Sequence, residues 1–159
     1  MTTPTTPYSS YLGDQNPLEA IRSTLDKVQE LTGAWPPNRF ERPYAPGKWS
    51  ARQVLTHLAQ TELVVGTRAR MALATPGYVA QGWNQDAWIA LDAHLTGRAA
   101  MDAFAAAARM NLAFYEGLSS ADRATTFVHP EFGELTIDWV IHQMAGHQIN
   151  HLLQLQRIP

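Results

Sequence analysis

Apolar side chains recur at helical spacing in four stretches of the chain, separated by segments rich in proline and glycine. Leu18, Ile21, Leu25, Val28 and Leu31 form the first stripe. Asn16 stands where an N-cap belongs, Pro17 suits the first helical position, and Glu19 sits where a capping acid reaches back. Gly33, Pro36 and Pro37 end the stripe, and the four prolines between Trp35 and Lys48 mark a connection. A second helix is predicted from Ser50, whose hydroxyl can accept from the Gln53 amide while Gln53 returns the bond and Trp49 staples onto Val54. It should run to about Ala74, before Thr75-Pro76-Gly77. The pattern from Tyr78 to His94 is mixed, with Trp83 to Leu91 open to a short helix or a packed loop.

A third helix is predicted after Thr96, through Met101, Phe104, Ala108, Leu112 and Tyr115, with Gly117 as its stop. Residues 119–135 carry turn chemistry, including His129-Pro130 and Gly133, with no convincing strand pattern. The last helix should follow Thr136 as N-cap and continue to about Gln156. Residues 1–15, rich in Thr, Pro and Ser, read as a loose arm. The expected fold is therefore all-α: one four-helix-bundle domain over residues 16–159, with a long connection between its second and third helices.

Composition narrows the chemistry. The chain has 159 residues, 45% hydrophobic, enough to build a core without metal or disulfide staples. No cysteine is present, which excludes disulfides, thiolate zinc sites, Fe–S clusters and a cysteine nucleophile. With 12 basic against 14 acidic side chains and no basic run, nucleic acid and anionic membrane are not the expected partners. The opening MTTPTTPYSS lacks the basic and apolar regions of a secretion signal, and no apolar run reaches the ~20 residues of a membrane span. A cytoplasmic location is the expectation. Neither a G-x-S-x-G elbow nor a Gly-rich phosphate loop occurs.

Histidine placement carries the chemical information. His147 and His151 are four apart on the last helix, about 40° from each other on one face. They occupy the stripe Val140, Met144, His147, His151, Leu155, where apolar residues are expected. Two buried neutral imidazoles need partners, and a shared cation supplies one. His57 lies two turns into the second helix, beside Val54, Leu58 and Val64. If the second and last helices are antiparallel neighbours, the three rings reach one level of the bundle. Three histidines with an open position suit a catalytic divalent transition metal, and the nitrogen set leaves Zn, Ni, Fe and Cu open. Thr61, Glu62, Asn150 and Gln154 are the nearby acceptors for the outward ring N–H groups. His142, about 140° round the helix from His147, should stay outside, and His94 and His129 read as solvated loop residues, with His129, before a proline in a turn, open to rimming a pocket instead. The aromatic segment from Tyr78 to Trp88 reads as core or packed loop, with a substrate-lining lid as the minority reading.

GKWSARQVLTHLAQTE followed near the end by HPEFGELTIDWVIHQMAGHQINHLLQLQ resembles the DinB/YfiT-like superfamily of four-helix metalloenzymes, over about residues 16–158. The resemblance implies an up-down-down-up bundle, a divalent ion on His57, His147 and His151, and a homodimer. It implies chemistry on a small-molecule substrate, either hydrolysis or transfer dependent on a low-molecular-weight thiol brought in from solution. A non-catalytic bundle holding a metal or small ligand is the alternative.

Overall fold

The computed structural model describes residues 3–159. Its elements in chain order are α1 (Ser9–Leu12), α2 (Pro17–Thr32), α3 (Ala51–Ala74), α4 (Gln85–Leu91), α5 (Gly97–Glu116), α6 (Ser120–Ala124), β1 (Thr126–His129), β2 (Gly133–Thr136) and α7 (Ile137–Gln156). The four long helices begin where local chemistry places them. Asn16 accepts from the amides of Leu18 and Glu19, Ser50 and Gln53 close a reciprocal capping box, and Thr96 and Thr136 accept from the amides of Ala99 and Trp139. Each cap satisfies amides that the first turn leaves unbonded.

The bundle core has two apolar clusters. One gathers Leu25 and Val28 of α2, Val54, Leu55 and Leu58 of α3, Ala100 and Phe104 of α5, and Leu152 and Leu155 of α7. The other gathers Ile21, Ala69, Leu112, Tyr115, Val140, Ile141 and Met144. α3 and α5 thus run from the first cluster to the second, and α2 and α7 run the opposite way. Between the clusters lies a layer of buried polar side chains: His57, Gln60, Thr61, Glu62 and Arg68 from α3, Asn111 from α5, and His147, Gln148 and His151 from α7. Burying so many polar groups is costly unless each finds a partner. This layer is where function has to be sought.

Two expectations are corrected, and one left open between a short helix and a packed loop is decided for the helix. Residues 119–135 are not turn alone, because β1 and β2 pair antiparallel with Phe127 opposite Leu135, both buried. Each strand is four residues long and sends one fully buried apolar side chain inward, too short a run for a period of two to register. The stretch from Trp83 to Leu91 resolves into α4, and the backbone on either side of Val79 bonds to Val128, tying the long connection to the hairpin. Finally, the arm is docked rather than loose. Residues 1 and 2 lie outside the described residues, but Leu12 and Thr6 are buried and the Trp139 indole donates to the Thr5 carbonyl at 3.0 Å. The apolar area of Tyr8 and Leu12, hidden in a Thr- and Pro-rich composition, supplies that packing.

Candidate metal centre

His57 enters from the second turn of α3, and His147 and His151 enter from successive turns of α7. The Nε2 atoms of His57 and His147 lie 3.0 Å apart, as do those of His147 and His151, and all three lie within 4.8 Å of one another. The rings are 3%, 6% and 5% exposed. Burial pushes the imidazole of His57 down to about 3 and that of His151 to about 4, and it holds His147 well below the ordinary value. The rings are therefore neutral at pH 7, the form that ligates metals.

The donor set fits a single cation. The Gln154 side-chain oxygen lies 2.7 Å from His151 Nδ1, so Nδ1 carries the proton and Nε2 is left with a lone pair. Lone pairs 3.0 Å apart repel, and a cation shared by the three nitrogens would relieve that repulsion. The Nδ1 atoms of His57 and His147 have no hydrogen-bond partner among the described residues. Aromatic rings pack around them instead. Trp83 stacks on His57 at 6.0 Å and 6°, Trp49 lies 5.0 Å from the same ring, and Tyr8 meets His147 edge-on at 5.2 Å. Trp49, expected to staple onto Val54, thus also walls the site.

Thr61 and Gln154 stand at the cluster. Thr61 Oγ1 donates to the His57 carbonyl at 2.8 Å and lies 3.5 Å from its Nε2. Asn150 lines a groove beside His151 without a hydrogen bond to any of the three rings. Glu62 is no ring acceptor: its carboxylate takes bonds from Asn111 at 2.7 Å and from Gln148, and burial raises it to about 7 against the pull of those two bonds. Gly66 admits Asn111, since a Cβ there would meet the amide at 2.4 Å. His142 turns away, its Nδ1 2.9 Å from the Asp138 carbonyl, and His94 is exposed. His129 is not a solvated loop residue. It lines the same cavity as His57 and His147, with Nδ1 accepting the amides of Glu131 and Phe132 and Nε2 facing Arg68.

That cavity holds about 690 Å³ and opens from the histidines toward the hairpin. Thr61, Val65 and Arg68 form one wall, Phe127, Phe132 and Leu135 another, and Trp139 and Met144 a third. Sequence reasoning missed Arg68 and Tyr8. Arg68 was detectable as a charge spaced to fall on the His57 face of α3. Tyr8 was detectable only through Gly146, an otherwise unexplained glycine inside α7.

Comparison with known proteins supplies a family and a shared fold. Two curated proteins of Oceanobacillus iheyensis, OB0782 and OB0413, are provisionally named metal-dependent hydrolases. They are 27% and 21% identical over 118 and 140 residues, covering 74% and 87% of this chain and 69% and 81% of theirs. The fold is shared with YfiT from Bacillus subtilis, described as a probable metal-dependent hydrolase with an unusual four-helix bundle topology. The match has a TM-score of 0.81 at 17% identity and covers 89% of this chain and 83% of that one. The profile of the DinB superfamily matches residues 20–155, and the chain belongs to that superfamily.

Proposed function

We propose that this protein is a metalloenzyme that holds one divalent ion on His57, His147 and His151 and acts on a small molecule in the adjoining cavity. The carrying observation is the convergence of three buried Nε2 atoms at one end of that cavity. His57, His147 and His151 would hold the ion, which would supply a Lewis acid there and lower the pKa of a water or thiol that reaches it. Gln154 fixes the tautomer of His151, Trp49 and Trp83 keep water from the flank of His57, and Thr61 places a hydroxyl beside the reacting face. A cavity of this volume admits a drug-sized molecule and not a polymer.

Hydrolysis is the first reading, supported by the names that both curated relatives carry. Transfer of a thiol group is the second, and one observation favours it. The histidine cluster includes no carboxylate, and buried Glu62 is engaged by Asn111 and Gln148, so among the described residues the cluster itself offers no acidic side chain to take a proton from water. A thiolate needs no such base to attack. With no cysteine in the chain, the thiol must come from solution.

Metal content per chain tests the ligand set. It should fall to a small fraction in His57→Ala, His147→Ala and His151→Ala and stay unchanged in His142→Ala. Full occupancy in His147→Ala would refute the assignment. Turnover of ester and amide panels, against an electrophile supplied with a small thiol, separates the two reactions. Turnover of neither class, with metal bound, would leave a binding bundle.

A further inference from the structure

We propose that Arg68 and His129 form a carboxylate-binding subsite at the hairpin end of the cavity, so that the substrate is an apolar molecule ending in a single negative charge. This rests on the small-molecule reading above. Arg68 is 8% exposed, yet among the described residues no carboxylate oxygen lies within 4.0 Å of its guanidinium. Buried charges are ordinarily paired, so an unpaired buried arginine lining a cavity calls for a ligand. Its Nη2 donates to the Gln81 carbonyl, which ties down the connection but leaves the charge uncompensated.

His129 supplies the second observation. Its Nδ1 accepts the backbone amides of Glu131 and Phe132 at 3.1 and 3.3 Å, which places the ring proton on Nε2. That Nε2 lies 3.2 Å from Arg68 Nη1. Two donors therefore face each other, and neither can accept. An oxyanion placed against both satisfies them together, and the arginine fork matches a carboxylate in its plane.

Placement follows from helix geometry. Arg68 is eleven residues beyond His57, about 20° round α3 and about 16 Å along it, and its side chain leans back toward His57. A substrate spanning the two ends is on the order of 10 Å long. Val65, Phe127 and Leu135 line the space between, which suits a hydrocarbon or aromatic body. Glu131, exposed beside His129, opposes a second negative charge, so a carboxylate fits better than a phosphate dianion.

The test compares 4-phenylbutyrate with its uncharged amide by calorimetry, on full-length protein stripped of metal so that only this subsite distinguishes them. The acid should bind at least tenfold tighter, and Arg68→Met should abolish the preference. Equal binding of acid and amide to the wild-type protein would overturn the proposal, as would a preference surviving in a folded Arg68→Met protein. Where Arg68→Met does not fold, the side-chain Nε–H resonance of Arg68 in the wild-type protein decides: it should shift with the acid and not with the amide, and no shift overturns the proposal. None of these readouts needs metal. A failed ligand assignment would show in the metal-content measurement alone, and a failed subsite here alone.

Discussion

Replacing Gly146 with alanine sets two effects of opposite sign against each other. Inside a helix the change gains about 1 kcal/mol. Here the new Cβ would stand 2.5 Å from the Tyr8 carbonyl oxygen and 2.8 Å from the Tyr8 Cβ. Both atoms belong to the backbone or its first side-chain carbon, so no flexible tip can swing aside, and the docked arm itself must move. What the arm stands to lose is the burial of Leu12, worth about 1.5–3 kcal/mol, and the bond from Trp139 to Thr5, worth about 1 kcal/mol. Ordering the arm offsets much of that sum. The expected result in the full-length protein is a net loss of about 1–2 kcal/mol.

In a protein lacking residues 1–13 the obstacle is gone, and the same substitution should stabilise by about 1 kcal/mol. Urea unfolding of the four proteins of this cycle measures the difference directly, and the coupling should be about 2–3 kcal/mol. Limited proteolysis should also cut the arm faster in Gly146→Ala. The same change in stability in both backgrounds would refute the docked arm and the account of Gly146 with it.

Two further outcomes follow from the core and the buried titratable groups. Protein stripped of metal should keep its helical circular dichroism, because the two apolar clusters do not involve the ion, and added metal should raise its melting temperature by binding the folded form only; an unfolded metal-free protein would make the site structural. Metal-free protein should also lose stability as pH falls. Three histidines whose folded pKa values lie below the unfolded 6.5 contribute stability that is fully present above pH 6.5 and is lost as pH drops toward about 4 and 3. Glu62, raised to about 7, acts the other way over pH 4.5–7, so the net uptake on unfolding is two protons, about 3 kcal/mol per pH unit between pH 6 and 5. Urea midpoints at pH 7, 6 and 5 check this, and a flat profile would mean that the rings are solvated.

The helices were legible because their starts and stops are local chemistry: Asn16 with Pro17, Ser50 with Gln53, Thr96 and Thr136 each cap within four residues of themselves. The histidines were legible because a polar ring in an apolar stripe is anomalous on its own helix. Proximity in sequence put Glu62 among the acceptors for the rings, but it did not say where the carboxylate goes, since its partners Asn111 and Gln148 are 49 and 86 positions distant. The same limit hid the pairing of Arg68 with His129, 61 positions apart, and the docking of the arm. Periodicity reports which face a side chain occupies and is silent about what stands opposite.

One local signal does carry long-range information. Gly66 and Gly146 each give up about 1 kcal/mol of helix propensity in the interior of a long helix, and Gly97 gives up part of that at the first position of α5. All three sit where another part of the chain enters: Asn111 against Gly66, Tyr8 against Gly146 and Phe40 against Gly97. Two of these contacts border the polar layer, one orienting the amide that holds Glu62 and the other setting Tyr8 over His147. An unexplained glycine in an amphipathic helix therefore marks a place to look for an incoming element, and in this chain two of three such places lead to the buried polar layer and one of them to the metal centre.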